Sequence, residues 1–194
     1  MHNKLNHQRL ADAFAFAATA HAGQPRKSTT IPYISHLMSV SALVLEHGGD
    51  EDQAIAGLLH DVIEDCGADY EPTIRERFGE RVARIVRACT DADTKPKPDW
   101  QVRKETYLRH LQLEGPEVLL VSACDKLHNA RAIVSDQHAI GLAVFDRFSA
   151  SQVQVLWYYR SLTEIYRARL PGRLADEVAR TVGVMHELAG ASSR

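Results

Sequence analysis

The sequence predicts an all-α domain of roughly eight to ten helices, and three observations lead to this prediction. Apolar residues recur every three to four positions along most of the chain, as they do on the buried face of a helix. Glycine and proline separate these segments, and the alternating pattern of a β-strand is nearly absent. Because 194 residues suit one domain, we expect a single domain over 1–194, with a core from about residue 8 to 188 and a frayed tail from 190.

The predicted helices of the N-terminal half begin and end at known signals. The first ends before Gly23 and Pro25, which are poor helix formers. The third opens with Asp50 and Gln53, at the spacing of a capping box, in which each side chain bonds to the other residue's backbone amide. These helices cover residues 5–21, 32–47, 50–65, 72–78 and 81–88.

Residues 90–99 separate the two halves of the chain. This segment is rich in proline and charge, which predicts a loop long enough to form a rim or lid. Beyond it, the apolar run Val118–Val121 could suggest a strand, but it lies within a longer helical pattern. The predicted helices of the C-terminal half cover residues 99–113, 116–135, 149–169 and 173–189.

The charge balance excludes several classes of partner. Lys and Arg number 23 against 25 Asp and Glu, so the net charge is −2, which provides no overall field that attracts DNA, RNA or an anionic membrane. We therefore expect no nucleic-acid partner and no membrane partner. A polyanionic substrate must be bound by a local basic patch, and the oligomeric state is left open.

The N-terminus and the cysteines favour the cytoplasm. Residues 1–5 show no basic segment followed by an apolar run and a cleavage site, and no stretch approaches 18 consecutive apolar residues. The three cysteines, Cys66, Cys89 and Cys124, are odd in number and widely spaced, which argues against a disulfide framework. We therefore expect a cytoplasmic protein.

One of the ten histidines belongs to an acidic cluster. His60 is followed by Asp61, Glu64 and Asp65 within a predicted helix, where residues four apart share a face. Apolar neighbours would desolvate these carboxylates unless a cation or strong hydrogen-bond donors compensated. A metal site explains the cluster, and the alternative is a solvated acidic end of a helix.

Two further residues could complete a metal site. His36 lies among apolar neighbours on the preceding helix, and Asp125 interrupts an apolar stretch. Each has an alternative interpretation: His36 as a hydrogen-bonded core residue, and Asp125 as part of an ion pair or helix cap. Together, two imidazoles and two carboxylates suit Mn²⁺, Fe²⁺, Co²⁺ or Zn²⁺.

The order of these residues resembles the signature of the HD-domain metal-dependent phosphohydrolases. Additional motifs are similar to the hydrolase domain of the RelA/SpoT alarmone enzymes, and the chain resembles a stand-alone small alarmone hydrolase of that family. These motifs are His21–Lys27, Tyr33–His36, Gly57–Asp65, Thr90–Asp91 and Asp125–Arg131. The resemblance extends from about residue 8 to 188 and implies the helical bundle of an HD domain.

The resemblance also implies a metal and a reaction. The metal in this family is usually Mn²⁺, and other divalent transition metals are possible. Glu64 and Asp65 match the acidic pair that orients the attacking water and accepts its proton. The implied reaction removes the 3′-pyrophosphate of an alarmone nucleotide. The metal ligands implied here are His36, His60, Asp61 and Asp125.

A small-molecule nucleotide is the partner that the resemblance implies. Arginine can stack on a base, and lysine can meet a phosphate as a point charge. Arg26 and Lys27 would form a basic patch, to which Lys95, Arg103 and Lys104 could add. The alternative for Arg26 and Lys27 is a solvated basic turn, and the alternative for Tyr158 is a position in the core. The predicted substrate-binding residues are Arg26, Lys27, Asn129 and Tyr158, which the resemblance implies, together with Lys97 of the later loop, which could add to the basic patch.

The sequence leaves the substrate open in three respects. Ala132 stands where guanine-specific long enzymes of the family often carry a threonine, so both (p)ppGpp and (p)ppApp are candidates. A broader HD-domain nucleotide phosphatase, such as an NADPH 2′-phosphatase, would release orthophosphate instead. A non-catalytic nucleotide-sensing module is disfavoured by the complete ligand set together with Glu64 and Asp65.

Overall fold

The computed structural model describes residues 5–94 and 96–191. Within them it contains nine α-helices, one π-helix and one 3₁₀-helix, and β structure is limited to a single bridge between Pro25 and Pro32. The all-α prediction is therefore confirmed. None of these helices combines the length and apolar character that crossing a bilayer requires. The α-helices are α1 (His7–Ala20), α2 (Ile34–Glu46), α3 (Glu51–Leu59), α4 (Tyr70–Phe78), α5 (Glu80–Cys89), α6 (Trp100–Leu111), α7 (Pro116–Ile140), α8 (Gln152–Arg169) and α9 (Arg173–Ala191).

The helix boundaries agree with the sequence pattern at most positions. The capping box of α3 is present: Asp50 accepts a hydrogen bond from the Gln53 amide at 3.1 Å, and Gln53 accepts one from the Asp50 amide at 2.9 Å. α7 continues past the predicted end at residue 135, and an unpredicted 3₁₀-helix, Gly141–Arg147, follows it. α9 includes residues 190 and 191, which the prediction assigned to the tail, and residues 192–194 lie outside the described part of the chain.

The helix predicted over residues 50–65 is wrong in its second half. α3 ends at Leu59, and Val62–Cys66 form a π-helix. Asp61 between them has φ −100° and ψ −3°, which departs from α-helical geometry. The His60 side chain provides the physical reason, because its Nδ1 bonds to the Gly57 carbonyl at 2.8 Å. That carbonyl is the acceptor that the Asp61 amide would need in a continuous α-helix.

Two helices form the centre of the bundle. α3 packs against α1, α2, α5 and α7, while α7 also contacts α2, α5, α8 and α9. One continuous apolar core surrounds them, and Leu119, Ala123 and Leu127 of α7 are fully buried within it. Polar side chains placed where α2, α3 and α7 meet are therefore removed from water.

Gly57 allows α2 and α3 to approach closely. A Cβ atom at this position would lie 3.1 Å from the Ser41 Cα on α2. The Ser41 hydroxyl also donates to the Ala54 carbonyl at 2.8 Å, which joins the same two helices. This close approach brings the rings of His36 and His60 to a centroid distance of 5.1 Å.

The loop between α1 and α2 folds back on itself. The Arg26 amide donates to the Ile31 carbonyl, and the Tyr33 amide donates to the Gln24 carbonyl, both at 2.8 Å. These bonds fix the backbone that carries the basic turn. The Arg26 side chain consequently reaches Asn129 on α7.

Candidate metal centre and active site

The four predicted metal ligands converge where α2, α3 and α7 meet. His36, His60 and Asp125 are buried, and each offers a ligand atom within 4.8 Å of the others. Oδ2 of Asp61 lies 3.0 Å from His60 Nε2 and 3.6 Å from His36 Nε2. Oδ1 of Asp125 lies 3.5 Å and 3.2 Å from the same two nitrogens. The structure thus brings these four residues together, and their role as ligands stays a prediction.

The hydrogen bonds of His60 fit a bound cation. Its Nδ1 must be the donor to the Gly57 carbonyl, because a carbonyl only accepts. Its buried Nε2 faces Asp61 and Asp125 and makes no hydrogen bond within the described residues. Burial opposes protonation, yet the two carboxylates raise the pKa of His60 well above its ordinary value. This site therefore attracts positive charge strongly, and its nitrogen and oxygen donors suit a divalent cation.

A third histidine, His128 on α7, contacts the cluster from outside. Nδ1 of His128 lies 2.8 Å from Nδ1 of His36. Burial, with His36 and Arg26 nearby, lowers the pKa of His128 to about 4, so this side chain is neutral at pH 7. For His36 to bind a metal through Nε2, which lies 3.2 Å from Asp125, its proton must be on Nδ1, where it is donated to His128. Such contacts orient histidine ligands in metal sites.

Asp125 is held in its ionised form by its neighbours on α7. Burial alone would raise the pKa of Asp125, but Lys126 and His60 hold it well below the ordinary value. The Lys126 ammonium donates to Oδ2 at 2.7 Å, and the Asn129 amide donates to Oδ1 at 2.6 Å. Both oxygens are thus fixed in place.

Glu64 and Asp65 lie on the π-helix beside the cluster. Burial and neighbouring carboxylates, Asp61 among them, raise the pKa of both side chains. Each keeps a donor: Lys97 Nζ lies 2.7 Å from Glu64 Oε1, and Gln24 Nε2 lies 2.8 Å from Asp65 Oδ2. Carboxylates with raised pKa values in such a site are suited to accept a proton near neutral pH.

Asp91 anchors the loop over residues 90–99 next to this pair. Its carboxylate, only 5% exposed, accepts hydrogen bonds from Arg103 at 2.6 Å and from Lys104. Burial would raise the pKa of Asp91, but Lys104 and Arg103 lower it. The Asp91 amide also donates to Glu64 at 3.4 Å. Arg103 and Lys104, predicted to extend a basic patch, therefore have an internal partner.

The motif around His21 supports the same site from the loop before α2. The His21 ring stacks on Tyr33, with centroids 5.1 Å apart, and its Nδ1 lies 2.8 Å from Gln24 Oε1. The Tyr33 hydroxyl donates to Asp61 Oδ2 at 2.6 Å, and Gln24 donates to Asp65. This motif thus positions one candidate ligand and one candidate base.

A cavity of about 440 Å³ opens beside the cluster. Asn129 joins the two, because it donates to Asp125 and accepts from Arg26 at 2.9 Å. Lys27 lies over the Phe148 ring at 5.7 Å from its centre. The size and mixed lining suit a nucleotide-sized ligand. Basic and aromatic lining residues include Arg26, Lys27, Lys104, Tyr33, Trp100 and Tyr158.

Not every residue predicted to bind substrate lies in this cavity. Lys97 is absent from its lining and pairs with Glu64 instead. Lys95 lies outside the described residues. Tyr158 belongs both to the core and to the cavity wall. It is 5% exposed, and its hydroxyl has no hydrogen-bond partner among the described residues. The predicted residues that do line the cavity are Arg26, Lys27, Asn129 and Tyr158.

His128 and Asp91 are two of the site residues whose roles the sequence did not reveal. His128 lies three positions after Asp125, and residues three apart on a helix share a face. That spacing was a usable signal for a partner of the cluster. The role of Asp91 depends on pairing with α6, which no local pattern predicts.

Comparisons with known proteins show which family the chain resembles. The HD domain family matches residues 13–151. The chain is 36% identical over 132 residues to the guanosine-3′,5′-bis(diphosphate) 3′-pyrophosphohydrolase of Aquifex aeolicus, a match that covers 68% of this chain and 19% of that protein. It is 37% identical over 125 residues to MESH1 of Xenopus tropicalis, which carries the same enzyme name, with 63% and 68% covered.

A solved structure shows the same architecture. It belongs to a metazoan orthologue of SpoT that is described as hydrolysing ppGpp, and it superposes with a TM-score of 0.71 at 26% identity. The match covers 91% of this chain and 96% of that one. The chain spans only about a fifth of the Aquifex protein and about two thirds of the Xenopus protein. On these grounds, the chain belongs to the HD domain family.

Proposed function

We propose that this protein is a metal-dependent hydrolase of alarmone nucleotides, (p)ppGpp and/or (p)ppApp. It removes the 3′-pyrophosphate and releases pyrophosphate and a nucleoside 5′-di- or triphosphate. The observation that supports this most is the bridge made by Asn129, which bonds to Asp125 of the cluster and to Arg26 of the cavity. In this proposal a nucleotide in the cavity has its phosphate end next to the cluster, where the metal binds. The enzyme names of the relatives support the same reaction.

The cluster holds the metal in this proposal. We assign Mn²⁺ because the family resemblance implies it, and other divalent transition metals are alternatives because the mixed nitrogen and oxygen donors suit them as well. When bound, the cation polarises a phosphate oxygen and lowers the pKa of a coordinated water. Asn129 fixes Asp125 and His128 orients His36 before the metal arrives. The proposed ligands are His36, His60, Asp61 and Asp125.

Glu64 and Asp65 act as the acid-base pair. They orient the attacking water and accept its proton as its oxygen bonds to phosphorus. The bond between phosphorus and the ribose 3′-oxygen breaks, and that oxygen takes up a proton to become the hydroxyl of the released nucleotide. A positioned general base contributes about 10²–10⁴-fold to such a step. Their raised pKa values suit this role.

The cavity binds the rest of the nucleotide. Arg26 lies 6.0 Å from the centre of the Tyr33 ring and offers a flat cation for stacking or phosphate binding. Lys27 adds a point charge at the same wall. Tyr158 contributes its ring to the cavity wall, and its buried hydroxyl has no hydrogen-bond partner among the described residues. Lys97, next to Glu64, is placed to bind the departing pyrophosphate.

Product analysis tests the proposal. Purified protein with Mn²⁺ is incubated separately with ppGpp, pppApp and NADPH, and the products are separated by chromatography. We expect pyrophosphate from at least one alarmone. Orthophosphate from NADPH alone would indicate the broader phosphatase, and no turnover of any substrate by metal-loaded protein would indicate a sensing module. Either result overturns the proposal. The variant Glu64→Gln should release much less pyrophosphate, and Glu164→Gln, at an exposed position on α8, is its matched control.

A further inference from the structure

The end of the cavity far from the metal cluster contains one carboxylate, Asp136. Asp136 lies on the same helix as Asp125, α7. At a rise of 1.5 Å per residue, the two positions are about 16 Å apart along the helix axis. Asn129 and Ala132 line the cavity between these two positions. If the 3′-diphosphate of a nucleotide lies at Asp125, the sugar and then the base follow along α7, so Asp136 meets the outer edge of the base.

The surroundings of Asp136 suit a flat base. Ala132 and Val144 give this end of the cavity an apolar wall, and Phe148 with Lys27 over its ring lies at the same end. The side chain of Asp136 is 38% exposed and bonds through Oδ2 to Arg147 on the 3₁₀-helix. A carboxylate has about four lone-pair sites, so this ion pair leaves acceptors for a ligand.

We propose that Asp136 selects guanine over adenine by accepting two hydrogen bonds from the base edge. Guanine presents two adjacent donors, N1–H and the N2 amine, and a carboxylate is a matching pair of acceptors. Adenine presents the unprotonated N1 there, which a carboxylate repels. Arg147 adds a donor for the guanine O6, in line with the usual preference of arginine for guanine acceptors. This inference rests on the proposed function and selects (p)ppGpp between its two candidate substrates.

Three nucleotides test the unmodified protein. The 3′,5′-bis(diphosphates) of guanosine, inosine and adenosine are compared by kcat/KM with Mn²⁺ present. Inosine lacks only the N2 amine, so we expect its kcat/KM to be about 10-fold lower than that of the guanosine nucleotide. The kcat/KM of the adenosine nucleotide should be lower still. Both differences should lie within the roughly 5- to 150-fold range of a bidentate base contact. Equal values for guanosine and inosine, or a preference for adenosine, would overturn the inference.

An isosteric variant assigns the effect to the residue. Asp136→Asn exchanges one acceptor for a donor, so we expect kcat/KM for guanosine to fall about 10-fold or more, and the guanosine-to-inosine ratio to approach one. Xanthosine 3′,5′-bis(diphosphate) carries an oxygen in place of the N2 amine. Its kcat/KM should therefore rise relative to that of the guanosine nucleotide in this variant. An unchanged ratio in a variant with the circular dichroism and melting temperature of the parent would contradict the proposal.

Asp146→Asn is the matched control. Asp146 lies on the same 3₁₀-helix next to Arg147, is exposed, and does not line the cavity. The ratio of kcat/KM for the guanosine nucleotide to that for the inosine nucleotide should be the same in Asp146→Asn as in the parent. Pyrophosphate release without a preference for guanine would refute only the role of Asp136, whereas no pyrophosphate from any of the nucleotides would refute the proposed function as well.

Discussion

Nδ1 of His36 lies 2.8 Å from Nδ1 of His128, and this contact orients a candidate metal ligand from outside the cluster. His36 is 1% exposed, so bulk water cannot easily replace a lost partner. His128→Ala should therefore weaken Mn²⁺ binding about 10–100-fold, as is usual when the partner of a histidine ligand is removed. Isothermal titration calorimetry measures the change.

Two variants control this prediction. His128→Asn offers an amide oxygen as a replacement acceptor and should recover much of the affinity. His138→Ala removes an exposed histidine from the end of the same helix and should leave binding unchanged. Loss of affinity in all three variants would indicate a general disturbance of α7 rather than orientation of His36.

Metal binding and catalysis should separate between two carboxylates. Asp125→Ala removes a ligand and should abolish stoichiometric Mn²⁺ binding together with activity. Glu64→Gln keeps the volume of the side chain but removes its basicity, so metal binding should persist while kcat falls about 10²–10⁴-fold. Calorimetry and product release are measured on the same samples. An Asp125→Ala protein that binds Mn²⁺ as tightly as the parent would refute the ligand assignment.

Two glycines should respond in opposite directions to alanine. Gly183 lies exposed within α9, and a Cβ there would face open space, so Gly183→Ala should stabilise the protein by about 0.5–1 kcal/mol through helix propensity. At Gly57 the new Cβ would meet the Ser41 backbone at 3.1 Å, and Gly57→Ala should cost about 1–3 kcal/mol. Urea unfolding measures both changes, and equal stabilisation by both variants would show that α2 and α3 can separate freely.

The stability contribution of Asp91 should depend on pH. Its pKa is lowered in the folded protein by Lys104 and Arg103, so the contribution is present above the unfolded pKa near 3.9 and is lost as the pH falls through the lower folded value. Asp91→Asn should cost about 2–4 kcal/mol at pH 7 because the largely buried Arg103 and Lys104 lose their shared carboxylate. Urea unfolding at several pH values should show this difference between parent and variant shrinking below about pH 4.

Asp93→Asn is the control for Asp91. Asp93 lies in the same loop and pairs with Arg87 at 2.6 Å, but its side chain is 38% exposed. Exposed pairs contribute about 0–1 kcal/mol. A cost at Asp93 as large as that at Asp91 would mean that the loop as a whole, and not the buried ion pair, supports stability.

Hydrophobic periodicity was sufficient to predict the helices, and residue spacing predicted the capping box of α3. Periodicity failed at Val62–Cys66, where the His60 side chain takes the Gly57 carbonyl and a π-helix replaces the expected α-helix. Hydrophobic periodicity indicates which face of a segment is apolar. It contains no information about a side chain that competes for a backbone acceptor. The 3₁₀-helix Gly141–Arg147 was missed because it continues directly from α7.

The candidate site was predictable in its residues and much less in its contacts. The types and order of His36, His60 and Asp125 are enough to indicate a metal site. The partners of Glu64 were not predictable, because Lys97 and Asp91 reach it from a loop distant in sequence. Such contacts depend on how α5 and α6 pack, and that packing is determined by the whole core.

The most direct test of the account follows phosphorus during the reaction. Protein stripped of metal is mixed with ppGpp or ppApp, and samples taken before and after Mn²⁺ is added are freed of metal on a chelating resin and recorded by ³¹P NMR. We expect no turnover before addition, then equal amounts of pyrophosphate and the nucleoside 5′-diphosphate, with the reaction stopped by EDTA. Turnover without metal, or orthophosphate as the first product, would contradict it.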